Sequence, residues 1–146
     1  MDYLKSFAIS AAGMSAERTR VEVAALNLAN ANTAAEAGAV FRPLRAVVQA
    51  TPLGSGASIG PGTFDDLVGH GLYSPSVRIE PTAREPRRVH EPGHPLADAS
   101  GFVSYPAIDA ATEMVSMMAA TRAYEANVAA LNAARTVAMK SLDIGA

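Results

Sequence analysis

Apolar residues recur at helical spacing at both ends of this chain. From Ile108 to Ile144 there is no proline and no glycine. Met117, Tyr124, Leu131 and Ala138 form one series at seven-residue intervals. Met114, Thr121, Val128, Arg135 and Leu142 form a second, in which only Thr121 and Arg135 are not apolar. Offsets of three and four sustained over several heptads predict a helix whose seam packs on another helix. At 1.5 Å per residue that helix is about 55 Å long. Asp109 and Glu113 in its opening turns and Lys140 near its end suit the helix dipole, and Gly145 supplies a C-terminal stop. The other end of the chain offers a partner. Phe7, Met14, Val21 and Leu28 stand at strict seven-residue spacing, and Leu4, Ala11 and Ala25 precede three of them by three residues. Gly13 weakens this segment by roughly 1 kcal/mol against alanine, which does not break it. A helix is predicted from about Leu4 to about Asn30. Asn30, Asn32 and Thr33 then favour a turn, because short polar side chains bond their own backbone.

The middle of the chain follows a different regime. All nine prolines lie between Pro43 and Pro106, and nine of the eleven glycines lie between Gly38 and Gly101. Leu44–Gln49, Val77–Glu80 and Gly101–Tyr105 read as strands, with Arg87–His90 a further strand or an extended run. Residues 51–75 read as a flexible loop, and Pro92–Pro95 must turn. The expected fold is therefore α+β. Long N- and C-terminal helices pair as a coiled coil, with a small β-rich insert containing proline and glycine between them. The expected segments are 1–35, 36–106 and 107–146. Each terminal helix has a seam too narrow to make a core alone, and an insert of this size has a marginal core of its own. The seams can close on each other or on neighbouring chains.

Net charge is -2, and neither end carries a basic excess. That argues against nucleic acid and anionic membrane as partners. Aromatic residues make up only 5% of the chain while alanine is frequent, so close helix approach through alanine is expected rather than a bulky aromatic core. There is no cysteine, which excludes disulfides, thiolate metal sites and a cysteine nucleophile. The N-terminus lacks the apolar core of a cleaved signal peptide, and no run is apolar enough to insert in a membrane.

Candidate chemistry is sparse. His90, Glu91, His94 and Asp98 carry metal-ligand residue types, and paired histidines four apart bind metal well on one helix face. Pro92, Gly93 and Pro95 forbid that helix, so a turn with polar side chains is the stronger reading. No Gly-x-Ser-x-Gly elbow or phosphate loop is present. Arg84, Arg87 and Arg88 are offset by Glu80, Glu85 and Glu91 and read as a mixed-charge surface. Neither an enzyme nor a cofactor is expected.

The run from Ile9 to Thr33, with Asn27, Asn30 and Thr33 in it, resembles the N-terminal signature of flagellar rod and hook proteins. Phe41-Arg42-Pro43, the run Glu91–Val103, then Glu113-Met114-Val115, Ala120–Asn127 with Arg122, and Leu131-Asn132 look like the proximal rod proteins of the basal body. The resemblance covers about 1–48 and 77–146; residues 50–75 match no pattern of the family. It implies a structural subunit, exported unfolded or partly folded through the flagellar type III apparatus without signal cleavage and polymerised into the periplasmic rod. Partners would be other copies, other rod proteins, the basal-body ring and the export apparatus. The terminal helices would form the drive shaft and line the export channel. Helix packing falls to Leu4, Phe7, Met14, Val21, Leu28, Met114, Met117, Tyr124, Val128, Leu131 and Leu142. Polar contacts at helix ends or between subunits fall to Asn27, Asn30, Asn127 and Asn132. A self-contained helical adaptor or export chaperone is the alternative from another class; it would be stably helical alone.

Overall fold

Two long helices and four strands make up the computed structural model, which describes residues 3–35, 39–52 and 73–144. Helix α1 runs Tyr3–Asn30 and helix α2 runs Ala110–Ile144. Strands β1 (Leu44–Pro52), β2 (Tyr73–Pro81), β3 (Arg87–His90) and β4 (Phe102–Tyr105) lie between them. Gly145 and residues 53–72 of the expected loop lie outside the described residues.

Helix α2 starts two residues later than the apolar pattern suggests, and Asp109 is the reason. Its carboxylate accepts the Ala111 backbone N–H at 3.1 Å and the Thr112 hydroxyl at 2.6 Å. Asp109 is thus the N-cap, satisfying donors that the first turn leaves open, rather than a residue inside that turn. The same bonds hold its carboxyl below the ordinary range, the Thr112 hydroxyl contributing most.

Strands β1 and β2 form one two-stranded sheet, and β3 and β4 form another. Arg45 near the start of β1 meets Glu80 near the end of β2 at 3.1 Å, while Thr51 and Ser76 share a hydroxyl hydrogen bond at 2.8 Å. The Thr82 N–H donates to the Pro43 carbonyl at 2.7 Å, just beyond the ladder. These strands extend into the range expected as loop, since Thr51 and Pro52 belong to β1 and Tyr73–Pro75 to β2. Pro75 is accommodated because every strand of a two-stranded sheet is an edge.

β3 and β4 pair antiparallel, with Val89 opposite Val103 and His90 opposite Phe102. Val103 is fully buried. Gly101 takes φ of 78°, and a Cβ there would lie 3.1 Å from His90 Nε2. It is therefore a turn residue, and the strand expected from Gly101 begins one residue later. Ala35 adds a bridge to Ser104 on β4.

The chain divides into two compact units. One holds the described parts of 1–18, 48–78 and 122–146, the other 19–47 and 79–121. The buried residues of the second include Val23, Ala24, Asn27, Ala31, Val103 and Ala120; Ala16 is buried in the first. Small side chains dominate this set, which permits close backbone approach.

Candidate assembly surfaces

Asn27 is the polar centre of the second unit. It is 1% exposed. Its side-chain amide donates to the Leu44 carbonyl at 2.7 Å, and its side-chain oxygen accepts the Leu44 N–H at 2.8 Å. One asparagine thus satisfies both backbone groups of the first residue of β1 and fixes where the chain leaves α1's flank. Sequence reasoning marked Asn27 but missed this partner. The available signal was a polar residue on the helix face that also carries Val23, Ala24 and Ala31.

Gly13 sits against Asn127 in the first unit. A Cβ at Gly13 would lie 2.8 Å from Asn127 Oδ1. The Asn127 amide donates to the Ala123 carbonyl at 3.0 Å. The glycine is a site of close helix contact rather than only a tolerated weakness. Within the second unit, Arg20, Val23 and Ala24 of α1 share a cleft with Thr112, Glu113 and Ser116 of α2.

The packing positions divide by exposure. Phe7, Met14, Val21, Leu28, Met117, Val128 and Leu131 are half-buried. Met114, Tyr124 and Leu142 are exposed, Leu142 to 76%. The sheltered positions of α2 are Ala110, Glu113, Ser116, Met117 and Ala120 in the second unit, and Ala123, Asn127, Val128, Leu131, Ala134 and Ala138 in the first. The line through Glu113, Ala120, Asn127 and Ala134 lies one residue before the series that contains Thr121 and Arg135. The sheltered side thus mixes small side chains with Met117, Val128 and Leu131. Leu4 is a helical residue whose side chain lies outside the described set.

Of the polar family positions, Asn30 donates to the Leu26 carbonyl at 2.8 Å and closes the end of its own helix. Its carbonyl accepts the Thr33 N–H at 3.1 Å. Asn132 accepts the Thr136 hydroxyl through its backbone carbonyl, and Arg122 is exposed.

Helix α2 also carries apolar side chains that the chain leaves uncovered. In the second unit these are Met114, Val115 and Met118, exposed to 46%, 66% and 58%. At 3.6 residues per turn they fall on the side of α2 away from Glu113, Met117 and Ala120. Tyr124, Val137, Met139 and Leu142 are exposed in the first unit. Contiguous exposed apolar surface of this kind marks interaction sites.

The four metal-type residues of the β3–β4 hairpin are engaged separately. Asp98 Oδ1 accepts the N–H groups of Ser100 and Phe102, both at 2.9 Å, and Oδ2 accepts from Arg88. Glu91 accepts the Tyr105 hydroxyl at 3.0 Å, which raises the phenol's pKa. His94 Nδ1 accepts the Leu96 N–H at 3.1 Å, and His90 stands edge-to-face on Phe102. Arg87 and Arg88 lie over the rings of Tyr105 and Phe102. Among the described residues no group of three or more such side chains converges as a metal site, and no helix is long and apolar enough to cross a membrane.

Comparison with known proteins matches the two ends separately and the chain as a whole. Residues 7–34 match the family described as flagella basal body rod protein, and residues 99–144 the flagellar basal body rod FlgEFG protein C-terminal family. The flagellar basal-body rod protein FlgC of Salmonella typhimurium (strain LT2) is 38% identical, over 99% of each chain. This chain belongs to the FlgC family. The FlgC of Bacillus subtilis (strain 168) is 32% identical, again over 99% of each chain. That of Aquifex aeolicus is 32% identical over 94% of this chain and 92% of its own. The full-length FlgC relatives also span β1, β2 and β3, which lie outside both terminal matches, whereas β4 falls within the C-terminal one. FlgC is a structural component of the flagellar basal-body rod and is not an enzyme.

Proposed function

We propose that this chain polymerises through its terminal helices in the proximal rod, where they form the drive shaft and line the export channel. The observation that carries this reading is the uncovered apolar side of α2, with Val115 the most exposed member of its patch. Burying such a patch against a neighbour is favourable by about 25 cal/mol per Å² of apolar surface. A 35-residue helix gives neighbouring subunits a long face on which to stack. The neighbours are other copies and other rod proteins, with the basal-body ring and the export apparatus at the margins of the assembly. Nucleic acid has no part in it, and neither has membrane insertion. The chain reaches the periplasmic rod through the flagellar type III apparatus, and the helices of 1–35 and 107–146 form the inner coiled coil while 36–106 packs outside.

Val115→Asp tests the reading. A charge at a dry subunit contact is strongly unfavourable, whereas at a solvent-exposed helix position it is nearly neutral. The variant is expected to keep the wild-type helical signal in solution and to lose motility and rod incorporation. A motile Val115→Asp strain would show that this side of α2 stays in water.

A further inference from the structure

The chain has six methionines and no cysteine, so thioethers are its soft, oxidisable groups. Their exposure differs. Met14 and Met117 are half-buried on the sheltered sides of their helices. Met114 and Met118 are exposed, lie one helical turn apart, and flank Val115 on the uncovered side of α2. Residues four apart on a helix are surface neighbours. Met139 is exposed as well, in the other compact unit.

We propose that Met114 and Met118 are a paired oxidation site at which hydroperoxide blocks assembly of the free subunit. In each event a sulfur lone pair attacks one peroxide oxygen. The S–O bond forms and the O–O bond breaks, the thioether gives up two electrons, and the other peroxide oxygen takes the proton of the transferred one and leaves, as water from hydrogen peroxide or as an alcohol from an organic hydroperoxide. The product sulfoxide is polar and chiral where the thioether was apolar and adaptable. Two sulfoxides beside Val115 turn an apolar patch into one that holds water. The consequence for assembly rests on the reading that this side of α2 is a subunit contact. Before assembly the sulfurs are open to peroxide. Once a neighbour covers them they are shielded, so sensitivity belongs to the subunit in transit. The step is reversible by methionine sulfoxide reductases, unlike the higher oxidation states of cysteine.

The test uses the full chain treated with hydrogen peroxide, which is removed before the chain is mixed with purified rod subunits. Peptide mass spectrometry is expected to find oxygen added at Met114 and Met118 ahead of Met14 and Met117. Treated wild type and Met139→Leu are expected to lose sedimentable assembly, and treated Met114→Leu/Met118→Leu to retain it, since leucine replaces methionine in volume but does not oxidise. Reductase treatment is expected to restore wild-type assembly. Assembly by fully oxidised wild type, or its loss in the treated double variant, would overturn the proposal. Failure of untreated wild type to assemble would instead overturn the contact reading beneath it.

Discussion

Asn27 and Asp98 show how single polar side chains organise a protein with little bulky core. Asn27→Ala removes both of these bonds at once and leaves a part-buried N–H and carbonyl without the asparagine. The expected loss is about 1–3 kcal/mol, read as a lower midpoint in denaturant unfolding of the isolated chain. A midpoint equal to wild type would mean that water replaces the asparagine at no cost. Asp98 works in the open. Its carboxyl is held below the ordinary 3.8 chiefly by the Phe102 N–H; desolvation opposes this, and the Ser100 N–H and Arg88 add to the lowering. A depressed folded pKa gives stability that is fully present above the unfolded value and is lost as pH falls through the folded value. The β3–β4 hairpin should therefore loosen only below about pH 4, seen as shifts of the Ser100 and Phe102 amides in NMR titration. Asp98→Asn, which cannot carry the charge, should remove that acid transition. An unchanged transition in the variant would place its origin elsewhere.

At the scale of elements, Gly13 and Asn127 mark a close contact between α1 and α2 in the first unit. Alanine is favoured over glycine inside a helix by roughly 1 kcal/mol. Gly13→Ala should fail to gain this in wild type, because the new methyl would meet Asn127 Oδ1 at 2.8 Å. In an Asn127→Ala background the same substitution should stabilise the chain, so the double-mutant cycle is predicted to be non-additive. Equal effects in both backgrounds would show that Asn127 moves aside freely. Both helices were legible in the sequence because freedom from proline and a seven-residue repeat are local signals. So were the strands around Val77–Glu80 and Phe102–Tyr105. What was only partly legible is the face that α2 shelters. On α2 the repeat named Met117, Val128 and Leu131, which are half-buried, together with Met114, Tyr124 and Leu142, which are exposed, and it passed over Ala120, Asn127 and Ala134, whose small side chains lie on the sheltered side. The Asn27–Leu44 tie was hidden as well. Asparagine at a helix end reads as a local cap, and its partner lies 17 residues away.

At the scale of the whole molecule, most helical apolar surface has two classes of fate. Some is sheltered within each compact unit, and some, Met114, Val115 and Met118 among it, is left open. These open residues are the surface that the proposed subunit contacts would use, in keeping with the FlgC family's place in the basal-body rod. The most direct test is site-specific photo-crosslinking from position 115 in motile cells. The account predicts adducts between this chain and another rod subunit, absent from cells that do not assemble the rod. A photoreactive residue at position 115 that supports motility yet yields no adduct to any rod subunit would contradict it.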